Sequence, residues 1–270
     1  MTLGLLLVCI AAAMIGITKS GFGSGLGLIV VPIMALALAT KDVAGLGPEA
    51  TLGLMLPLLI VGDIIALTQQ RKHVSLILVR KLLPATIVGV AVGGWFLYLA
   101  HQHKALAAAL INLDIGFESI LLVSLHWYRQ LTSDRETVYV PKPWHNHLTG
   151  AFAGISSTLA HGAGPIIALY LLPQKPPRQT FVGTCAVYFF LLNTIKLSAY
   201  VLAGQFTAAP LSMTVRFVPL VLLGGAIGYL LNRRISDRLF SNIVYIGTFV
   251  LGWYLLYLGL RDIYAYRYGT

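Results

Sequence analysis

The chain has 270 residues, 57% of them hydrophobic and only 10% charged, with a net charge of +10. Ordinary soluble domains carry roughly 25% charged residues, so the composition excludes a soluble globular protein and, with a mean hydropathy of +0.82, describes an integral membrane protein. The positive charge does not point to nucleic acid, because the basic residues fall in short loops between apolar spans, as the positive-inside rule requires.

In chain order, residues 1–18 form an apolar segment with no basic residue ahead of it. A cleaved signal peptide needs such a residue, so the segment is read as structure. Residues 16–34, GITKSGFGSGLGLIVVPIM, put a lysine and a glycine-rich break between two apolar arms, about 3–18 and 24–39. Sixteen helical residues rise only ~24 Å against a hydrocarbon core of ~30 Å, so the arms read as a hairpin or two kinked helices. Apolar runs follow at 50–68, 82–99 and 105–125, and later at 181–203, 217–231 and 239–260. A complete crossing takes about 20 helical residues. Period-two alternation is absent, which argues against a β-barrel.

The pattern then repeats. Residues 154–172, GISSTLAHGAGPIIALYLL, follow the plan of 16–34, and PLVLLGGAIGY (219–229) matches PATIVGVAVGG (84–94) in the spacing of its proline and two glycines. The predicted fold is an all-α polytopic bundle of about eight to ten membrane helices. It has two inverted repeats, each a broken Gly-rich hairpin plus three transmembrane helices. The expected boundaries are a first repeat at 1–127, a cytoplasmic linker at 128–146 and a second repeat at 147–270. Three crossings per half is odd, so the second half is expected upside down. With the loop 69–81 placed in the cytoplasm, twelve loop Lys and Arg residues fall on that side and five on the other. Both termini are then outside, in the plasma (inner) membrane of a prokaryote.

Irregular backbone at membrane depth survives only inside protein or around a wet cavity. Inverted repeats with discontinuous helices mark secondary transporters, whose site lies at the repeat interface. A helix restarting after a break aims N–H groups and its positive dipole end inward, which favours an anion. Candidate substrate-binding residues are Lys19, Ser20, Gly21, Gly23 and Gly25 at the first break, and Ser157, His161, Gly162 and Gly164 at the second. Backbone N–H groups of 19–27 and 157–165 are expected to bind the oxyanion, with Thr51 and Thr184 lending hydroxyls. Asn193 and Lys196 share a helix face and complete the set, with Lys19, His161 and Lys196 as the positive charges. The alternative for the glycines is close helix packing.

Three acids fall in the spans. Asp63 aligns with Asn193 once a gap is allowed, and is a candidate partner of Lys19 or a coupling group. Asp114 and Glu118 are four apart on one face; they suggest a proton relay or cation site, but pairing with Lys19 or Lys196 is the favoured expectation. No metal site is expected: the His101/His103 and His145/His147 pairs lack a third ligand. Ser156, Ser157 and His161 lack a nucleophile elbow, so no enzyme and no cofactor are expected. Cys9 and Cys185 read as small core residues.

The two glycine-rich blocks, and above all GISSTLAHGAGPIIALYLLPQKPPRQTFVGTCAVYFFLLNTIKLSAYVLAGQF (154–206), resemble the TauE/SafE sulfite-exporter family of membrane permeases. The likeness covers nearly the whole chain, weakly in the first half and strongly in the second. It implies a duplicated bundle that exports sulfite, an organosulfonate or another small sulfur-containing anion. The chain has GSGLG and HGAGP where the family usually has Gly-Gly-Gly runs. The partners expected are that anion and the lipid bilayer, with no nucleic acid; a homodimer is left open. The rival functions are a cation or proton-coupled transporter or channel using Asp63, Asp114 and Glu118, and a non-transporting membrane scaffold.

Overall fold

Long apolar runs in lipid must satisfy their own backbone polar groups, and helices do so within the segment. The computed structural model describes residues 2–21, 24–40, 42–43, 45–71, 73–102, 104–132, 140–206, 208–231 and 237–268, and among these there is no strand. The first half runs α1 (Leu3–Gly21), a 3-10 helix (Ser24–Ile29), α2 (Val30–Ala39), a 3-10 turn (Pro48–Ala50), α3 (Thr51–Gln70), α4 (Leu76–Gln102) and α5 (Lys104–Thr132). The second runs α6 (Pro143–Ala160), α7 (Ala163–Leu171), a 3-10 turn (Leu172–Gln174), α8 (Arg178–Leu202), α9 (Ala208–Leu231) and α10 (Asp237–Tyr268).

Among the described residues, 7 helices are long and apolar enough to cross a membrane: α1, α3, α4, α5, α8, α9 and α10. Gly27–Ala39 and Ala163–Gln174 are shorter apolar pieces. The chain is therefore a multi-pass membrane protein. One expectation needs correction. The first arm, α1, is 19 residues long and runs through Lys19, Ser20 and Gly21, so it has the length of a crossing. Of the helices that flank the segment 128–146, α5 continues to Thr132 and α6 starts at Pro143.

The close packing between the halves rests on glycine. α1 lies on α9, and α6 lies on α4. A methyl group added at Gly224 would overlap the Ala13 carbonyl, and one at Gly89 the Ala151 carbonyl. Gly228 faces the Ile17 carbonyl in the same way, and a Cβ at Gly93 would meet Thr158 Cβ at 2.8 Å with the Ile155 carbonyl at 3.2 Å. Such contacts let backbones approach where a side chain would hold them apart. The glycine block of each half thus clamps the first helix of the other. α3 meets α8, and α5 meets α10. The largest buried cluster joins α1, α2, α3 and α5 through residues such as Ile15, Met34, Met55 and Val123.

Candidate functional site

Two helix interruptions face the α3–α8 contact. The second is short. α6 ends at Ala160 and is capped by His161, whose φ of 52° lies in the left-handed region, and α7 restarts at Ala163 after Gly162. The N–H groups of His161 and Gly162 still bond back to the carbonyls of Ser157 and Ser156. Ser157 is thus helical, and the break is narrower than the expected 157–165. α7 opens Ala-Gly-Pro with no side-chain cap; its first N–H groups, on Ala163 and Gly164, have no intrahelical acceptor. At the first interruption the chain resumes as a 3-10 helix for 6 residues before α2 begins. Gly23 lies outside the described residues, and Gly25 is described only as part of that 3-10 backbone.

The polar cluster starts with Lys19 on the last turn of α1. Its Nζ lies 2.6 Å from Asp63 Oδ1, with both side chains buried. Gly62 makes room for the lysine stem: a Cβ there would sit 3.4 Å from Lys19 Cγ. The other oxygen, Asp63 Oδ2, accepts from Asn193 Nδ2 at 2.6 Å. Lys19 Nζ also stands 4.7 Å above the Phe189 ring, a cation–π contact.

Lys196, one turn beyond Asn193, is fully buried. Its Nζ reaches the Ser157 carbonyl at 2.7 Å, Ser157 Oγ at 3.1 Å and His161 Nδ1 at 2.7 Å. Three acceptors match the three protons of an ammonium. With Nδ1 accepting, the His161 proton belongs on Nε2, which faces the Leu52 carbonyl at 3.3 Å. Lys196 Nζ lies 5.4 Å from the Tyr200 ring centre. Among the described residues no carboxylate comes within 4.0 Å of Lys196.

A small cavity of about 30 Å³ lies between Lys19 and two of the partners of Lys196, Ser157 and His161. Lys19, Ser157, His161, Gly164 and Asn193 line it, with Gly27 and Phe189. This is space for a water molecule. Formal charge in the cluster is uneven: Lys19 and Asp63 cancel, and Lys196 is held by neutral groups.

The structure brings together Lys19, Ser157, His161, Gly164, Asn193 and Lys196. Other residues fall elsewhere. Gly21 packs against Gly228, and Ser20 Oγ lies beside Gly225, so both serve the α1–α9 contact. Ser20 Oγ is buried without a hydrogen-bond partner among the described residues, as is Thr51 Oγ1. Thr51 is at least close, since Leu52 receives His161. Thr184 is not brought to the cluster: it lies about 14 Å along α8 from Asn193, and its hydroxyl accepts from the Ser75 N–H at 3.0 Å. Gly162 faces Glu118 rather than the cavity. The favoured pairing of Asp114 and Glu118 with the two lysines is overturned: Lys19 takes Asp63, and Glu118 accepts from Ser156 Oγ at 2.7 Å. Glu118 meets the Ser156 side of the α6 turn, and among the described residues no ammonium group lies within 4.0 Å of either acid.

Sequence reasoning missed Phe189 and Tyr200. The signal was there: Phe189, Asn193, Lys196 and Tyr200 are spaced four, three and four apart, a single stripe of α8.

The family described as sulfite exporter TauE/SafE matches residues 8–255. The protein belongs to the TauE/SafE sulfite exporter family. The match takes in both glycine breaks, all of the cluster residues and most of α10. No curated protein and no solved structure matches the chain. As a TauE/SafE member it falls in a family of membrane transporters, which agrees with the multi-pass bundle.

Proposed function

We propose that this TauE/SafE protein is a secondary transporter or facilitator that exports a small sulfur-containing anion, sulfite or an organosulfonate, by alternating access around the Lys19–Lys196 cluster. The observation that carries the reading is Lys196, a fully buried lysine bonded to Ser157 and His161 with no carboxylate within 4.0 Å among the described residues. A buried charge is costly unless paired. An anion entering the cavity supplies the missing charge. Lys196 then exchanges one of its neutral acceptors for an oxyanion oxygen, and the α7 N-terminus adds dipole and N–H donors.

The halves 1–127 and 147–270 act in this reading as inverted repeats, with both termini outside the cytoplasm in a prokaryotic inner membrane. Support comes from the crossed glycine clamps, in which Ala13 stands to Gly224 as Ala151 stands to Gly89. Rocking of one half against the other opens the cavity to either side in turn.

The cation reading gains less support. Both carboxylate oxygens of Asp63 are taken, by Lys19 and Asn193, and a cation there would meet an ammonium group 2.6 Å from the carboxylate. The test is binding and flux. Sulfite, thiosulfate, sulfate and methanesulfonate are added to purified protein in melting experiments, and to proteoliposomes. A ligand at 100 times its Kd stabilises by about 2.7 kcal/mol. A shift with one sulfur oxyanion that Lys196→Gln abolishes is the expected result. A shift with cations alone removes the anion reading, and zero flux of every anion points to a scaffold.

A further inference from the structure

The last turn of α6 has two neighbouring serines that serve opposite sides. Ser157 gives Lys196 both its carbonyl and its hydroxyl. Ser156 donates its hydroxyl to Glu118 Oε2 at 2.7 Å. The same turn is held by the capping bonds from His161 and Gly162, and Gly162 packs so near Glu118 that an added Cβ would overlap the carboxylate. Glu118 is therefore wedged against the break from behind. Among the described residues it has no cation within 4.0 Å.

Glu118 also lines a groove of about 630 Å³ between α5, α6 and α7. The walls are apolar, from Leu121, Leu125, Phe152 and Ile166, and the groove also includes Arg129. Arg129 lies about 16 Å along α5 from Glu118, so the groove gives the carboxylate a path toward that end of the helix.

We infer that Glu118 is the proton-binding group of the transport cycle, linked to the anion site through the Ser156–Ser157 turn. The inference rests on the anion reading of Lys196. An oxyanion that draws Lys196 away from Ser157 loosens the turn that also carries Ser156. A proton that reaches Glu118 from the Arg129 end of the groove converts the carboxylate to a neutral acid, which sheds its need for the Ser156 donor. Both events release the same turn, so anion and proton load together. The proton cancels one unit of the anion's charge in a medium that penalises net charge.

The groups that bear on Glu118 are few. Asp114 lies one turn earlier on α5, on the same face. α8 presents Tyr200, whose hydroxyl donates to the Thr158 carbonyl. α7 presents Tyr170, whose hydroxyl is bonded to Asn146. α6 presents Ser156. Arg129 lies at the far end of the groove, and Glu49 approaches α5 in the opposite direction, near Asn112. From Leu239 to Leu260, α10 has no charged residue.

The test is counterflow in proteoliposomes of methanesulfonate, whose charge does not change with pH, and of thiosulfate, with and without a pH gradient. Wild type is expected to run several-fold faster when the loading side is acidic. Glu118→Gln should run at one rate under both conditions while keeping the melting shift given by the same anions. Ser156→Ala should lower the stimulation and keep binding. Gradient stimulation that survives in Glu118→Gln overturns the inference, as does a wild type that transports without it. If Glu118→Gln does not fold, undiminished stimulation in Ser156→Ala overturns it instead. A wild type with neither flux nor anion-dependent melting shift refutes the anion site, and the coupling with it.

Discussion

Asp63 of α3 and Asn193 of α8 are joined by a 2.6 Å hydrogen bond between residues 130 apart in sequence. That bond orients the carboxylate so that its other oxygen meets Lys19 at 2.6 Å. α1, α3 and α8 are thereby tied at one buried point. Around it, Lys196 and the α6 break form the second half of the cluster.

Removing one partner of the Lys19–Asp63 pair leaves an uncompensated buried charge, which costs about 3–5 kcal/mol. Asp63→Asn and Lys19→Gln are each expected to lower the melting temperature sharply. The double variant should recover much of the loss, and a double-mutant cycle measures the coupling. Additive losses would show that the pair is not coupled.

Lys196→Gln and His161→Ala test the charged half of the cluster. Both are expected to abolish the anion-dependent melting shift. His161→Gly relieves the left-handed backbone yet removes the contacts to Lys196 and Leu52, so it should fold and still fail to bind. Retained binding in His161→Gly would assign the residue a purely conformational role.

Thr184 offers a control. Its hydroxyl accepts from Ser75 N–H, a bond worth about 1 kcal/mol. Thr184→Val should cost that much stability and leave anion binding unchanged. A lost melting shift in this variant would return Thr184 to the site.

The glycine clamps make a paired expectation. Gly224→Ala and Gly89→Ala each drive a methyl group into a facing carbonyl, and overpacking costs typically about 1–3 kcal/mol. Among the described residues, a Cβ at Gly27 meets only Thr18 Oγ1, at 3.8 Å, so Gly27→Ala should melt close to wild type. Equal tolerance at all three positions would contradict the close approach of α1 to α9 and α6 to α4.

Much of the architecture was legible in the sequence, for a local reason. Hydrophobicity, glycine and proline act through neighbouring residues, so the apolar runs, the repeated glycine blocks and the second break could be read directly. The stripe of Asn193 and Lys196 follows from helical periodicity alone. The pairing of charges did not follow. Lys19 had three acids within reach on paper, and the choice of Asp63 over Asp114 and Glu118 depends on how α1, α3 and α5 are rotated and which helices stand between them. The same holds for the small residues of the first break. Gly21 and Ser20 look identical in sequence to cavity-lining positions, and only the approach of α9 turned them outward. Spans and breaks were set by the chain's local chemistry; the partner of each buried charge was set by helix packing, because a side chain near 100° around a helix axis from its neighbour meets whatever element tertiary structure puts there.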